Sequence, residues 1–216
     1  MTTNVIKTNV IRAADLVASP WKNGGGVTRE VAAFPEGAAL DAFVWRVSVA
    51  DVAAAGPFSR FAGIDRTLVL LSGAGMLLDE TNGDKPVTHA LREPLDIARF
   101  EGETAIDARL VDGPTRDFNL MVRRGAATGD VAVLRNTMRA QLDADVVLLF
   151  CAQGSLVLTL ADQQAVTLAT NDTLRIDNAS VLACETKGEA RCSPSASAIS
   201  THREPERLHT SQTALP

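Results

Sequence analysis

What most constrains this chain is the spacing of its breaks. Apolar runs of strand length recur through the sequence, each stopped early by Gly, Asp, Asn or Pro. They include FVWRVSVADV (43–52), RTLVLLSGAGMLL (66–78), AIDARLVDG (105–113), DFNLMVRRG (117–125), DVVLLFCAQGSLVLTL (145–160) and DTLRID (172–177). Amphipathic patterns of helical period are nearly absent. Only IRAADLVA (11–18) and parts of the stretch after Gly125 can be read as short helices. Connections are short and hairpin-like, which selects an antiparallel sandwich or barrel over alternating βαβ units. The fold class expected is all-β.

An internal repeat runs beneath this pattern. LVLLSGAGMLLD (68–79) is followed at a distance by EPLDIARFEGE (93–103), and VLLFCAQGSLVLTLAD (147–162) is followed by LATNDTLRIDNA (168–179). Each copy is an apolar strand, a Gly-containing turn, a second apolar strand, and a turn with Asp leading into a further strand. Two such copies predict a duplicated chain of two small β-barrels. From about Thr186 the sequence becomes rich in Ser, Thr and Pro, with few large apolar residues, and is expected to form a flexible tail.

Composition removes several function classes. The net charge is −5 and no basic stripe occurs, so no nucleic-acid partner is expected. The acidic balance argues against anionic membrane surfaces, and no apolar run reaches the length of a membrane span. The opening MTTNVIKTNVIRAADLV lacks the apolar centre of a signal peptide. Cys151, Cys184 and Cys192 are scattered, without CxxC spacing. They read as free thiols of a reducing compartment, so a cytoplasmic location is expected. Cys151, inside VVLLFCA, reads as a small core residue.

Three linked blocks are long and specific: PWKNGGGVTREVA (20–32), FVWRVSVADVAAAGPFSRFAGIDRTLVLLSGAG (43–75) and DGPTRDFNLMVRRG (112–125). Together they resemble the HutD/Ves family of bicupin proteins, over roughly residues 4–180. The resemblance implies two cupin-type antiparallel barrels. The first, carrying the motifs, would span 1–125 and a more degenerate second would span 126–185, with 186–216 as the tail. It further implies a cytoplasmic protein linked with histidine utilisation that restrains the pathway by binding an acidic intermediate, in a family with no established catalytic activity.

The residues exclude the usual cupin chemistries. Many cupins hold a metal with two histidines one residue apart, a carboxylate and a later histidine. Here the histidines are His89, His202 and His209. No HxH occurs, and Asp96–Phe100, where a second motif would end, has none. Neither metal nor cofactor is expected. His89 reads as an exposed loop residue, and His202 and His209 fall in the tail. Metal-free cupin epimerases pair a histidine base with a tyrosine acid, and this chain has no tyrosine.

What remains is a set of binding groups. In WRVSVA, period-two alternation places Arg46 and Ser48 on one face and Trp45, Val47 and Val49 on the other. A guanidinium among apolar residues needs a partner, either a ligand carboxylate at a barrel mouth or a salt bridge to Glu30 or Asp65. Arg66 shares a face with Leu68 and Leu70 and invites the same two readings, with Asp65 beside it to orient an arginine. In GPFSRF, Phe58 and Phe61 read as packing residues, with Ser59 and Arg60 on the polar side.

Asn119 stands as a neutral amide in an apolar strand, facing either a ligand or a strand edge. Arg123 and Arg124 read as a solvated strand end. The glycine run can form an anion nest, permit close strand approach, or supply positive φ. Beyond it, Thr28, Glu30 and Ala32 alternate away from Val27, Arg29 and Val31. Thr28 and Glu30 thus join Asn23 and Gly25 on one wall of a pocket, while Trp21 reads as a packing anchor.

The expected function is a metal-free bicupin that binds a small acidic metabolite, N-formylglutamate or another intermediate of histidine breakdown. Its ligand-binding residues would be Asn23, Gly25, Thr28, Glu30, Arg46, Ser48, Asp65, Arg66 and Asn119. The alternative is a metal-free hydrolase or isomerase using Glu30 or Asp65 as acid/base, and a third reading is an interaction module. A homodimer joined through sheet edges is also expected.

Overall fold

The computed structural model describes residues 6–81, 87–135, 138–161, 163–188 and 195–201. Its strands are β1 (Lys7–Ile11), β2 (Ala18–Pro20), β3 (Gly26–Phe34), β4 (Trp45–Val52), β5 (Gly56–Pro57) and β6 (Ile64–Ser72). The chain continues through β7 (Met76–Glu80), β8 (Val87–Leu91), β9 (Ile97–Glu101), β10 (Ile106–Leu110), β11 (Thr115–Arg123) and β12 (Asp130–Arg135). It closes with β13 (Met138–Cys151), β14 (Ser155–Leu160), β15 (Val166–Ala169), β16 (Thr173–Gly188) and β17 (Ser195–Thr201). A single 3₁₀ turn, Ala13–Asp15, is the only helical element among the described residues. The helix expected over 11–18 reduces to that turn, and the stretch after Gly125 forms β12. No described helix is long and apolar enough to cross a membrane.

All strand pairings are antiparallel, in three sheets. A six-stranded sheet runs β2-β3-β4-β11-β6-β9, and a four-stranded sheet runs β5-β10-β7-β8. Both belong to the first half. The second half forms β12-β17-β13-β16-β14-β15, with β1 added on β16. The expected division at residue 125 is therefore crossed by β1. Asp172 holds that arm down by accepting from the Ala13 amide (2.9 Å) and Arg12 Nη1 (2.7 Å). In the segment expected as a tail, residues 195–201 pair as β17 with β12 and β13. His202 and His209 lie outside the described residues.

The six-stranded sheet is covered on both faces, which explains the nearly unbroken apolar runs of β6 and β11. One face packs on the second half, where Val47, Val49, Phe118 and Leu120 meet Leu148 and Phe150. The Phe118 and Phe150 rings lie 5.1 Å apart. The other face turns toward the four-stranded sheet. Leu68, Leu70, Met76, Leu78 and Phe100 fill one end of that interior.

The repeat is reproduced at the level of single hydrogen bonds. Leu95 (φ 77°) donates to Leu70 O, while the Leu70 amide donates to Asp96 O. In the second copy Asn171 (φ 68°) donates to Cys151 O, while the Cys151 amide donates to Asp172 O. Each Asp carboxylate also accepts an amide three residues back, from Glu93 (2.9 Å) and from Ala169 (3.1 Å). This is a duplicated strand-turn unit. The structure shows sheets in each half rather than two closed barrels.

Candidate functional site

The polar end of the first-half interior is a cavity of about 1100 Å³. Its floor is the inward face of the six-stranded sheet, and register sets the order of the side chains. Glu30 pairs with Ser48, Ser48 with Asn119, and Arg46 with Met121, which in turn pairs with Arg66. Four neighbouring strands thus bring Glu30, Ser48, Asn119 and Arg66 onto one surface. Walls come from residues 15–23, from the 38–40 loop, and from 57–61.

Of the predicted residues, Asn23, Thr28, Glu30, Arg46, Ser48, Arg66 and Asn119 line the cavity, whereas Gly25 and Asp65 do not. Asp65 is exposed and bonds Arg124 (2.6 Å), which also pairs with Glu103. It therefore orients neither Arg46 nor Arg66. Arg124 and its neighbour Arg123, which donates to Phe43 O and Asp41 O, are tied down rather than freely solvated. His89 sits on β8, half-buried, 2.9 Å from Glu80 and against the Phe100 ring, not in an exposed loop.

The glycine run serves backbone geometry. Gly24 takes φ +71°, and a Cβ on Gly26 would lie 2.5 Å from the Asp51 carbonyl. The Gly24 amide donates to Trp21 O and the Gly25 amide to Asn23 Oδ1 (3.0 Å). Those two donors are consumed within the turn, so the run builds no anion nest. Beyond it a bulge between Glu30 and Ala32 interrupts the expected alternation. Glu30 keeps its place at the cavity, while Val31 and Ala32 both join the opposite apolar core. Trp21 lines the cavity, donating to Thr28 Oγ1 (2.7 Å) and meeting Phe58 edge-on.

Arg46 bonds Glu30 (2.7 Å) through Nε and Ser48 weakly (3.4 Å) through Nη1, which leaves Nη2 without a partner among the described residues. Arg66 is only 7% exposed. Its hydrogen bonds reach Asn119 Oδ1 (3.4 and 3.3 Å) and Ser59 O (3.4 Å), all long and all to neutral oxygens. Three rings, of Phe58, Phe61 and Phe100, surround its Cζ at 5.4, 5.8 and 5.1 Å. Phe58 and Phe61 therefore cradle a cation as well as pack. Burial pushes the Arg66 pKa down to about 10, with Asp117 opposing and Arg46 adding to the fall, so Arg66 stays cationic at neutral pH.

Asp117 was not legible as a site residue, yet it lines the cavity at 2% exposure. Burial raises its pKa to about 7, against the attraction of Arg66 and with a contribution from Asp51. Its Oδ2 has no hydrogen-bond partner among the described residues. The signal in the sequence was its place two residues before Asn119 in an apolar strand, on the same face.

In the second half the equivalent interior is filled. Val147, Leu149, Leu158, Leu174 and Ile176 pack there in one apolar cluster. Among the described residues no three of His, Cys, Asp and Glu gather as a metal site.

Known proteins share both the fold and the sequence. Protein Ylba from E. coli (12% identity, TM-score 0.64, 90% of each chain) and vicilin from Capsicum annuum (9%, 0.64, 90% of this chain and 86% of that one) share the cupin fold. At 30% identity, the structure of HutD from Pseudomonas fluorescens SBW25 in a formate condition matches with a TM-score of 0.77, covering 92% of this chain and 100% of its own. An uncharacterised 21.2 kDa protein in the hutC 3′ region of Pseudomonas putida is 35% identical over 181 residues, 83% of this chain and 92% of its own. Protein Ves of Escherichia fergusonii is 36% identical over 118 residues, 54% of this chain and 59% of its own. The HutD family model matches residues 13–193. With its fold, its motif blocks and these relatives in agreement, the chain belongs to the HutD/Ves family.

Proposed function

We propose that this protein binds a small carboxylate in the first-half cavity and through it modulates histidine utilisation, acting as a ligand-binding protein rather than an enzyme. One observation carries the reading. Arg66 is a buried cation whose described hydrogen bonds are all long and to neutral acceptors. A guanidinium taken out of water is costly unless paired, and a carboxylate taking two N–H bonds from it answers that cost. Arg46, with Nη2 free, and the Ser48 hydroxyl stand on the same surface to complete the grip. The link with histidine utilisation is supported by family membership and by the hutC 3′ region relative.

The enzymatic alternative loses one of its two bases, since Asp65 points away from the cavity. Glu30 is committed to Arg46. N-formylglutamate remains the favoured ligand, its carboxylates on the arginines and its formyl oxygen on Ser48 or the Asn119 amide.

Calorimetry of the purified chain against histidine, urocanate, formiminoglutamate and N-formylglutamate tests the reading. At least one acid should bind and lose its affinity in Arg66→Ala. Absence of heat with all four refutes the proposal, and turnover of any of them favours the enzyme.

A further inference from the structure

We infer that the cavity is built for a ligand presenting an N–H donor close to its carboxylate, the N–H received by Asp117 and the carboxylate by Arg66 and Arg46. This rests on the carboxylate-binding reading above. Along the inward face of β11, Asn119 lies opposite Ser48 and Leu68, and Asp117 lies opposite Ala50 and Leu70. One strand period, roughly 7 Å, separates the two residues. Arg66 is drawn to Asn119, and it makes no ion pair with Asp117. The interior thus holds a guanidinium and a carboxyl on one face, both buried, kept apart by a neutral amide and each poorly satisfied. Asp117 Oδ2 is an acceptor with no donor.

The charged groups around Asp117 do not supply that donor. Arg66 comes from β6 and is engaged at Asn119 and Ser59. From β4, Arg46 is engaged at Glu30 of β3, and Asp51 of β4 is held by Arg29 and Arg116. The four-stranded sheet contributes only Pro57 to the cavity lining. Buried acceptors are normally satisfied, and an unsatisfied one on a side chain that lines a cavity points to a ligand donor. A bare carboxylate would answer Arg66 and meet Asp117 with like charge. An N-acyl amino acid or amino acid, with nitrogen and carboxylate on one carbon, answers both across the gap. A site built to receive an N–H also rejects the analogue that lacks it.

Protonation adds a second reading of the same geometry. Ionised Asp117 accepts an N–H more strongly, so binding of such a ligand favours the ionised form and tightens as pH rises through about 7. A ligand with carboxylates alone behaves oppositely, because it favours protonated Asp117.

Calorimetry of the full chain tests this with three probes: N-formylglutamate, the ester in which oxygen replaces its N–H, and glutarate. At pH 8 the amide should bind at least tenfold more tightly than the ester. From pH 6 to 8 amide affinity should rise while glutarate affinity falls. In Asp117→Leu the amide-to-ester preference should vanish, with all remaining binding still dependent on Arg66. Should that variant fail to fold, the wild-type ratio and the opposite pH slopes decide alone. Equal affinities for amide and ester, or a preference surviving in Asp117→Leu, overturn this inference and leave the carboxylate reading standing. If none of the three probes binds, this inference falls, and the carboxylate reading is decided by the four acids tested above.

Discussion

Replacing Asp117 with Asn is the most informative single perturbation, because its effect on stability depends on pH in a direction fixed by burial. The carboxyl is 2% exposed with no partner for Oδ2, and its pKa rises from the usual carboxylate value to about 7. The folded protein therefore holds this proton more tightly than the unfolded chain. Linkage then gives the sign: its contribution is fully favourable below the unfolded value near 4 and is lost as pH rises through 7. Stability falls by about 1.4 kcal/mol per pH unit in that window, for a total of about 4 kcal/mol. Asn keeps the shape and cannot ionise, so the variant escapes the loss. Urea unfolding at pH 5, 6, 7 and 8 should show Asp117→Asn gaining on wild type by roughly 1–2 kcal/mol at pH 5 and roughly 4 kcal/mol at pH 7 to 8. Other carboxylates cancel in the difference. A gap that stays constant across this range would refute the burial argument.

The other perturbations separate fold from grip. Arg46→Ala removes a pair in which Arg46 is 12% and Glu30 39% exposed, so it should cost roughly 1–2 kcal/mol of stability, part of it lost packing of the arginine stem. By calorimetry it should weaken carboxylate binding at least tenfold, and a large loss of stability with binding retained would mark a structural salt bridge. Gly26→Ala should lower stability by roughly 1–3 kcal/mol in thermal unfolding, since its Cβ meets the Asp51 carbonyl at 2.5 Å and the Trp21 ring at 3.1 Å. Gly25→Ala, whose nearest contact is the Asn23 side chain at 3.3 Å, should be milder. Asp172→Ala strands the Ala13 and Ala169 amides and leaves Arg12 only its bond to the Thr167 carbonyl, and should cost roughly 2–4 kcal/mol. Hydrogen exchange should then show early opening of β1.

Much of this was legible because strands write their faces at period two. WRVSVA delivered Arg46 and Ser48 to the cavity, and the Gly–Asp spacing of the repeat corresponds to matched turns at Asp96 and Asp172. What escaped depends on information that alternation does not carry. The bulge after Glu30 sent Ala32 to the opposite face. Asp65, adjacent to Arg66, points outward for the same period-two reason that sends Arg66 inward, so adjacency was the wrong cue. His89 looked like a loop residue because the β7–β8 hairpin is short and polar. Asp117 reads as an ordinary strand-edge acid until Ala50 and Leu70 are known to flank it. Addition of β1 to the far half is a choice of partner edge, which no local pattern encodes.

The duplication bears on the part Arg66 plays in the first half. Matched turn hydrogen bonds align Leu70 with Cys151 and Asp96 with Asp172, so four residues before each strand contact Arg66 aligns with Val147, and four residues after each Asp Phe100 aligns with Ile176. Both sets are register partners in their own half, Arg66 with Phe100 and Val147 with Ile176. One copy of the unit therefore closes its interior with an aliphatic pair, Val147 at 1% and Ile176 at 0% exposure, where the other keeps a guanidinium over an aromatic ring. In the second copy the same position packs without a charge. Arg66 has no ion-pair partner among the described residues, so an apolar side chain of similar volume removes a desolvation cost without stranding an opposite charge. Arg66→Leu should thus unfold in urea at or above the wild-type midpoint, with Asp117 driven further toward its protonated form, while carboxylate binding disappears. If Arg66→Leu instead lost several kcal/mol, the guanidinium would be a structural element of the first half, and its long bonds to Asn119 and Ser59 would be the whole of its purpose.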